Sequence, residues 1–456
     1  MRAGVRLNKH VDPSWLADCD RLSGCRAVVM GLGLQAGGLG VARFLRDKGA
    51  EVVVTDLRSE DDLRPSVEAL GVEGVRYVLG RHDVEDFRAA DLVVRNPAVR
   101  EGSQYLVEAR KAGVHVETEM TLFLRWCSTA RIVGVTGTRG KTTTATALQA
   151  MLVAGGVPAT IAGNMRISAL AQLEEIEEGS MVVLELSSAQ LEALNNKPLR
   201  VNGAVVTNLM PDHLDRYQDM QSYAEAKLPV VANQTLGDWA VIPRGDGWTE
   251  WFADRAGGEV LRPDLEVAPP GWCSAKVTGR HNRDNLAIAA AAARHVGVPK
   301  SAIRNAVEHF AGAPARQEFL GTVDGARVYN DTTATTPEAT LAALDVITGP
   351  WILILGGSDK RIDFALLADR LCNEEDVRAI ILLPGTGTDR LLPLLPAGRI
   401  ERAGDMATAV TRALKRAHPG DAIVLSPACA SFGMFNNEFD RGDQFEARVR
   451  EVGLDS

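Results

Sequence analysis

The sequence has 456 residues, of which 46% are hydrophobic and 24% are charged, and its formal net charge is −9. This length is too great for one ordinary core and predicts about three domains, while the composition excludes a disordered or fibrous chain. The negative balance argues against a nucleic-acid partner, and the lack of an apolar leader or of any apolar run long enough to cross a bilayer predicts a cytoplasmic protein.

The first predicted elements form a β-α-β unit that carries a glycine-rich turn. A strand at Ala27–Met30 precedes the turn, an amphipathic helix follows it, and AEVVVTDL and DLVVRNP are typical of further buried strands. This alternation predicts a parallel sheet covered on both faces. The turn, Gly31-x-Gly33-x-x-Ala36, matches the relaxed dinucleotide fingerprint, and Asp56 ends the next strand where a ribose-binding acid is expected. A nicotinamide cofactor, another nucleotide such as a UDP-sugar, and a tight turn without a ligand all fit this pattern.

A second α/β unit begins with a strand, a glycine loop and a helix in the run RIVGVTGTRGKTTTATAL. Gly137 and Gly140 allow the backbone to direct its N–H groups at a phosphate. Lys141 can neutralise the outer phosphates, and Thr142 can offer a hydroxyl to Mg²⁺. The loop is not a strict Walker A motif, because Val135 stands where that motif has its first glycine.

Later strands of the second unit end in polar residues. Glu185 follows the apolar run MVVL, so it is either a magnesium ligand beside the phosphate loop or a solvated strand end. The segment TNLMPDHLDRY and the helix after it carry His213, a candidate metal ligand, and Lys227. Asn282 and Asn285 lie at the start of an alanine-rich helix, where they can cap the helix or contact a nucleotide.

The alternation of strands and helices restarts in the last third of the chain and predicts a third α/β unit. Its strands are GARVYND, WILILGG, RAIILLPG and DAIVLSPA, and the polar loops NDTTATTP, GGSDKRIDF and LSPACASFGMF follow them. Lys360, Ser426 and Ser431 lie on these loops. Each loop alone can be turn chemistry, but several polar loops at one edge of a parallel sheet predict a binding crevice.

Six motifs together resemble those of the Mur ligases of peptidoglycan synthesis, most closely the members that add D-glutamate to UDP-N-acetylmuramoyl-L-alanine. They are GVTGTRGKTT, LELSSAQL, TNLMPDHLDRY, GRHNRDNLAIAAAA, NDTTATTPEAT and LSPACASFGMFNNEFDRGDQF. The resemblance implies an α/β fold of three domains: a Rossmann-like UDP-binding domain at 1–127, a central P-loop-type ATPase domain at 128–313, and a C-terminal Rossmann-like domain at 314–456 that binds the amino acid. One glycine loop would then bind UDP and the other ATP.

The resemblance also implies roles for individual residues, matched motif by motif. The UDP-sugar would contact Leu34, Gln35, Asp56, Leu57, Asn164, Ser187 and Gln190. ATP would contact Gly134, Thr136, Gly137, Thr138, Arg139, Gly140, Lys141, Thr142, Thr143, Asn282, Asn285, Arg316 and Asp331. Two Mg²⁺ ions would be held by Thr142, Glu185, His213 and Lys227, the last as a carbamate. The catalytic set would be Lys141, Glu185, His213 and Lys227, and the amino acid would contact Thr335, Lys360, Ser431 and Phe432.

The activity that the resemblance implies is ATP-dependent formation of an amide bond through an acyl phosphate. The expected partners are the UDP-sugar and glutamate, with no nucleic acid and no membrane span, and the expected state is a monomer. Ala315, Thr333 and Glu438 depart from the family's pattern, which keeps L-glutamate or another amino acid open as the substrate. Asn96 departs from the family's usual turn near the uracil.

Functions of other classes remain as alternatives. A nicotinamide oxidoreductase would use the first glycine turn but would give no role to Lys141, Glu185 or Lys227. A regulatory P-loop switch would hydrolyse nucleotide without any amino acid. A ligase of the folyl-polyglutamate or cyanophycin type would leave the first domain without an evident role.

Overall fold

A computed structural model describes residues 13–34, 36–127, 131–163, 167–195, 197, 199–213, 216–245, 247–275, 277, 279–360 and 362–454. Two predicted substrate contacts, Gln35 and Asn164, lie outside these residues. No helix within them is long and apolar enough to cross a membrane. The chain forms two compact units, one from residues 1–274 with 281–308 and the other from residues 275–280 with 309–456.

The first unit opens with a five-stranded parallel sheet in the order β3-β2-β1-β4-β5. Its strands are β1 (Arg26–Met30), β2 (Glu51–Asp56), β3 (Val75–Leu79), β4 (Leu92–Arg95) and β5 (His115–Glu117). Its helices are α1 (Ala36–Asp47), α2 (Glu60–Leu70), α3 (Val84–Ala89), α4 (Gln104–Lys111) and α5 (Glu119–Trp126). The central strands are buried apolar runs, as expected for a parallel sheet with helices on both faces.

The same unit contains a second parallel sheet of six strands in the order β11-β10-β9-β6-β8-β7. Its strands are β6 (Arg131–Thr136), β7 (Ala159–Ala162), β8 (Met181–Glu185), β9 (Gly203–Val206), β10 (Trp239–Val241) and β11 (Glu259–Leu261). The helices are α6 (Lys141–Ala154), α7 (Ser188–Glu192), α8 (Met220–Lys227), α9 (Pro229–Ala232), α10 (Gly247–Ala253), α11 (Arg280–His295) and α12 (Lys300–His309). The glycine loop therefore follows a central strand, β6, which lies between β8 and β9.

The two sheets of the first unit share one hydrophobic core. Leu32 and Phe123 of the first domain belong to the same buried cluster as Leu184 of the second. The rings of Phe44 and Trp126 stack with their centroids 5.6 Å apart. The first two domains thus bury apolar surface in common, a relationship that no local pattern in the sequence indicates.

The second unit has a six-stranded sheet in the order β12-β13-β17-β14-β15-β16. Its strands are β12 (Glu318–Val323), β13 (Ala326–Asn330), β14 (Trp351–Leu355), β15 (Val377–Leu382), β16 (Ile400–Arg402) and β17 (Ala422–Leu425). Its helices are α13 (Pro337–Leu344), α14 (Ala365–Asn373), α15 (Thr386–Leu391), α16 (Met406–Arg416) and α17 (Glu438–Glu451). All pairs are parallel except the antiparallel β12–β13 hairpin, which the sequence patterns do not predict.

Both faces of this third sheet are covered. In β14, Leu353 and Leu355 join a cluster on one face, while Ile352 and Ile354 join a cluster on the other. Successive side chains of a strand point to opposite faces, so a strand buried on both faces is apolar throughout. The run WILIL satisfies this requirement and explains why the strand was predictable.

Candidate active site

The loop between β6 and α6 presents backbone N–H groups at the amino end of a long helix. Gly137 and Gly140 have φ values of 151° and 81°, and Gly140 is the N-cap of α6 without a side chain to cap it. A Cβ atom on Gly140 would lie 2.3 Å from Oδ1 of Asn285, so only glycine fits here. The first turn of a helix has N–H groups without partners inside the helix, and these groups and the helix dipole both favour a bound anion such as phosphate.

The residues after β9 hold this loop in place. The hydroxyl of Thr207 donates to the carbonyl oxygen of Arg139 at 2.6 Å, and the backbone N–H of Arg139 donates to Oδ1 of Asn208 at 3.0 Å. The backbone N–H of Thr138 donates to the carbonyl oxygen of Asn208 at 3.0 Å. The loop is therefore anchored to the neighbouring strand's end rather than free to change shape.

Lys141, the first residue of α6, lies over the loop. Its Nζ donates to the carbonyl oxygens of Gly137 at 3.2 Å and Thr138 at 3.0 Å. The ammonium group is thus beside the backbone that would surround a phosphate. This position suits a side chain that neutralises phosphate charge.

The other residues predicted to contact ATP at this loop lie in different environments. Gly134 lies inside β6, where a Cβ atom would be 3.0 Å from Cδ1 of Leu186, so it packs in the core rather than on the loop. Thr136 ends β6, and its hydroxyl donates to the carbonyl oxygen of Leu186 at 2.8 Å. Arg139 is exposed, whereas Thr143 is buried in the first turn of α6.

A buried pair next to the loop fits a magnesium ion. Glu185 ends β8, and its Oε1 accepts a hydrogen bond of 3.1 Å from the hydroxyl of Thr142. Its Oε2 is buried and has no hydrogen-bond partner among the described residues. A buried carboxylate oxygen without a partner is costly unless a cation or a donor reaches it, and hydroxyl and carboxylate oxygens are the ligands that Mg²⁺ prefers.

Lys227, the last residue of α8, lies almost fully buried beneath the same loop, with 1% of its surface exposed. Its Nζ donates to the carbonyl oxygen of Gly137 at 3.1 Å and lies 4.9 Å from the ring centroid of Tyr223. Burial, and then the charge of Lys141, hold the pKa of the Lys227 amine well below its ordinary value. A lowered pKa favours the neutral, nucleophilic form of a lysine amine.

Tyr223 connects the phosphate loop to the predicted histidine. Its hydroxyl lies 3.3 Å from the hydroxyl of Thr138, and its ring centroid is 6.1 Å from that of His213. The His213 side chain is 57% exposed, its φ is 54°, and its backbone N–H donates to Oδ1 of Asp212 at 2.8 Å. The structure thus brings His213 to the same edge as Lys227, with an aromatic ring between the two elements.

The predicted sugar contacts after β8 form a capping box. The backbone N–H of Gln190 donates to the Ser187 hydroxyl at 3.3 Å, and the backbone N–H of Ser187 donates to Oε1 of Gln190 at 2.9 Å. This reciprocal pair fixes the start of α7. Both side chains lie at the carboxyl edge of the sheet, and both make hydrogen bonds that cap α7.

The first glycine turn is organised by Asp56. One carboxylate oxygen accepts the backbone N–H of Gly33 at 3.2 Å, and the other accepts that of Arg58 at 3.0 Å. Leu57, beside it, exposes 67% of its surface, and Leu34 on the turn is partly buried. An exposed leucine and an anchored glycine turn at the end of parallel strands form a surface that suits a nucleotide.

The two asparagines of the alanine-rich helix lie inside the helix rather than before it. The helix α11 begins at Arg280, so Asn282 and Asn285 both lie within its first two turns. Asn285 is buried, and its amide lies against Gly140 of the phosphate loop. The capping interpretation is therefore wrong for Asn285, which is brought to the phosphate loop instead.

In the second unit, Asp331 follows β13 and is fully enclosed. Its carboxylate accepts hydrogen bonds from the Ser426 hydroxyl at 2.7 Å and from the backbone N–H of Gln317 at 3.0 Å. Burial raises the pKa of the Asp331 carboxyl to about 7, although these donors and Arg316 oppose the shift. Ala315 and Gln317 adopt positive φ values of 61° and 48°, so the chain beside Asp331 carries backbone strain.

The predicted amino-acid contacts lie on neighbouring loops of the same sheet. Nζ of Lys360 donates to the hydroxyl of Thr335 at 3.0 Å. Ser431 is buried, and its hydroxyl has no hydrogen-bond partner among the described residues. Phe432 exposes 63% of its surface, and its carbonyl oxygen accepts a hydrogen bond from Ser358. A cation, an unpartnered hydroxyl and an exposed ring together suit a small zwitterion.

Three segments of the chain match family models for Mur ligases. Residues 25–118 match "Mur ligase MurD-like, N-terminal domain", residues 135–262 match "Mur ligase middle domain", and residues 315–429 match "Mur ligase, glutamate ligase domain". The three matches fall in chain order on the three sheets.

Full-length relatives agree with these matches. A UDP-N-acetylmuramoylalanine–D-glutamate ligase of Roseiflexus sp. (strain RS-1) is 44% identical over 464 residues, covering 94% of this chain and 99% of the relative. The chain belongs to the Mur ligase family. The enzyme of the same name from Symbiobacterium thermophilum is 34% identical and covers 94% of this Mur ligase and 98% of its own length.

Solved structures share the fold of this Mur ligase. The UDP-N-acetylmuramate-alanine ligase MurC of Thermotoga maritima superposes with a TM-score of 0.60 at 18% identity, covering 94% of this chain and 99% of that one. A MurF structure from Acinetobacter baumannii has a TM-score of 0.59 at 14% identity, with coverages of 95% and 92%. The predicted three-domain α/β fold is therefore confirmed.

Sequence patterns missed several residues that shape the sites of this Mur ligase. Thr207 and Asn208 anchor the phosphate loop, and the only signal for them is that two polar residues follow the apolar strand β9. No local signal indicates Tyr223, because a single tyrosine on a short helix is typical of a core residue. Arg441 of α17 is fully buried, and it donates to Thr332 and to the carbonyl oxygen of Cys429 without an adjacent carboxylate in those contacts.

Proposed function

We propose that this Mur ligase joins D-glutamate to UDP-N-acetylmuramoyl-L-alanine at the expense of ATP, a step in the synthesis of peptidoglycan precursors. The full-length relatives carry the name of this activity. The observation that carries the proposal in the structure is the Thr142–Glu185 pair, with its unpartnered oxygen, beside a glycine loop at a helix amino end. Such a loop suits the phosphates of ATP, and the pair suits the accompanying Mg²⁺.

The proposed reaction has two balanced steps. A carboxylate oxygen of the UDP-sugar attacks the γ-phosphorus of ATP, the bond to the β-phosphate oxygen breaks, and ADP leaves. The uncharged amino group of glutamate then attacks the acyl carbon, loses a proton, and expels inorganic phosphate. Lys141 and the N–H groups of the loop stabilise the charge on the phosphoryl group in flight, and bound Mg²⁺ would supply further charge neutralisation.

We propose that Thr142 and Glu185 hold one Mg²⁺ ion and that His213 and Lys227 contribute to a second. An ammonium group is not a metal ligand, but a lysine carbamate is a carboxylate. The uncharged Lys227 amine can add to CO₂ with loss of one proton, and its lowered pKa supports this reaction. The nearness of Nζ to the phosphate loop would place the resulting oxygens where the terminal phosphates are expected.

We propose the remaining substrate contacts separately for each of the two compact units. In the first unit, Leu34, Asp56 and Leu57 would bind the UDP moiety, with Gln35 and Asn164 outside the described residues and Ser187 and Gln190 near the muramoyl part. Asn282 and Asn285 would approach the adenine nucleotide. In the second unit, Arg316 and Asp331 would approach the nucleotide, while Thr335, Lys360, Ser431 and Phe432 would bind the amino acid.

We place the domain boundaries at 127/128 and 313/314, and we propose that the enzyme acts as a monomer in the cytoplasm, the compartment that supplies ATP.

The test is phosphate release from Mg-ATP with UDP-N-acetylmuramoyl-L-alanine and either D- or L-glutamate. The proposal predicts release only when the UDP-sugar and D-glutamate are both present, with one amide formed for each phosphate. Steady release without an amino acid would favour a hydrolytic switch instead. Turnover with L-glutamate but not D-glutamate would keep the reaction and change the substrate, which the departure at Glu438 leaves open.

A further inference from the structure

The glycines of α1 are not all explained by the phosphate-binding turn. Gly38 packs the helix against its own turn, since a Cβ atom there would lie 2.2 Å from a backbone carbonyl oxygen. Gly37 and Gly40, one helical turn apart, meet different neighbours. A Cβ atom on Gly37 would lie 3.5 Å from Oε2 of Glu119, and one on Gly40 would lie 2.2 Å from Cβ of Ser168. This glycine face of α1 therefore lets another segment approach closely.

Glu119 connects the first domain to the segment that contains Ser168. It is the first residue of α5, and its Oε1 accepts a hydrogen bond of 2.5 Å from the hydroxyl of Ser168 in the second domain. Ser168, Ala169 and Leu170 are all buried. This hydrogen bond links α5 of the first domain to a buried residue of the second domain.

Gly163, the residue that follows β7, lies beside the proposed magnesium ligand Glu185. Its φ is 75°, and a Cβ atom there would lie 2.7 Å from the backbone oxygen of Glu185. Gly163 thus packs against Glu185, and Glu119 holds Ser168 against α1. The amino end of α1 directly follows the first glycine turn.

We propose that Glu119 is a positioning residue for the nucleotide-sugar substrate, an inference that rests on the proposed function. Glu119 holds Ser168 against the glycine face of α1. It thereby fixes the position, relative to Glu185, of the turn that binds the diphosphate. The substrate spans these two places, because its diphosphate lies in the first domain while its carboxylate must meet the γ-phosphate of ATP. A misplacement of about 1 Å, even by a residue far from the chemistry, can cost about a hundredfold in rate.

The test compares Glu119→Gln, Ser168→Ala and Gly40→Ala with the wild-type enzyme. Gly40→Ala is informative because alanine favours a helix interior, so α1 itself is not weakened, while the added methyl displaces Ser168. We expect each variant to raise the KM for the UDP-sugar and to lower kcat, each by about tenfold, with the KM for ATP unchanged. Titration calorimetry with the UDP-sugar alone gives the same comparison without turnover, which separates this inference from a failure of the proposed reaction.

Glu174→Gln is the matched control. Glu174 pairs at 2.8 Å with Lys48, the residue that follows α1, so it is a second polar contact between this part of the first domain and the chain segment after Ser168, but it is exposed. We expect this variant to keep all kinetic constants and UDP-sugar affinity at wild-type values. Equal increases in the KM for every substrate, unchanged constants in the three test variants, or the same losses in Glu174→Gln would overturn the proposal.

Discussion

The hydroxyl of Thr142 donates a 3.1 Å hydrogen bond to Oε1 of Glu185, while Oε2 of this buried carboxylate is left without a partner among the described residues. The two residues come from the start of α6 and the end of β8, which the sheet places side by side. An arrangement that leaves one buried carboxylate oxygen unused is costly for the protein alone and is satisfied by a divalent cation. A dependence of the activity on a divalent cation is therefore the property that follows most directly from the contacts of Thr142 and Glu185.

Glu185→Gln should lower kcat by about a hundredfold to a thousandfold and abolish the response to added Mg²⁺, because the amide cannot neutralise the cation. The free energy of unfolding without ligands should not fall, since the substitution removes a buried carboxylate of which one oxygen has no hydrogen-bond partner among the described residues. Thr142→Ser keeps the hydroxyl and should retain most of the rate, whereas Thr142→Val should not. Phosphate release measured against Mg²⁺ concentration checks these outcomes, and a normal magnesium response in Glu185→Gln would contradict them.

Lys227→Ala should lose about a hundredfold or more in kcat, because the proposed carbamate would no longer contribute a ligand. If the missing group is a carboxylate, formate or acetate at high concentration should restore part of the activity. Lys141→Ala is the control, since its loss removes a cation that a small carboxylic acid cannot replace. Rescue of neither variant, or of both equally, would speak against carbamylation of Lys227.

Gly140→Ala should raise the KM for ATP, whereas Gly156→Ala should not. Both glycines have positive φ, 81° and 77°, so each alanine carries backbone strain of about 1 kcal/mol or more. Only at Gly140 would the new Cβ also meet Asn285, at 2.3 Å, while nothing lies within 4 Å at Gly156. Thermal unfolding measures the loss of stability that both variants share, and ATP titration measures the loss of ATP affinity expected only for Gly140→Ala. An equal effect of both variants on ATP affinity would refute this account of the loop.

Asp331→Asn should change how stability depends on pH. Burial raises the pKa of the Asp331 carboxyl from 3.8 to about 7 in the native protein, so the native state holds its proton more tightly than the unfolded state. Its stabilising contribution is complete below pH 3.8 and is lost as the pH rises through about 7, at about 1.4 kcal/mol per pH unit between these values. The asparagine variant should lack this slope in urea unfolding of the ligand-free protein, and parallel slopes in both proteins would contradict the assignment.

The fold and the centre of the site were predictable because their determinants are local in the sequence. Buried parallel strands are apolar runs, and Gly137, Gly140 and Lys141 lie within one short loop. The motif around Glu185 is equally short, because the acid ends its strand. These patterns need no knowledge of distant contacts.

What the sequence did not predict depends on residues far apart in the chain. Tyr223 reaches Thr138, and Glu119 reaches Ser168, only because the sheets bring separate segments together. The core shared by the first two domains is invisible for the same reason. The capping interpretation of Asn285 failed because the helix begins earlier, at Arg280, and the amide is needed beside Gly140 instead.

The central claim is that the carboxylate of the UDP-sugar takes the γ-phosphoryl group of ATP before the amide forms. It is tested most directly with UDP-N-acetylmuramoyl-L-alanine whose carboxylate carries ¹⁸O, incubated with Mg-ATP and D-glutamate. The claim predicts that each released inorganic phosphate contains one ¹⁸O atom from that carboxylate, since the carboxylate oxygen leaves with the phosphoryl group. Release of unlabelled phosphate together with amide product, or transfer of the label to AMP, would contradict it.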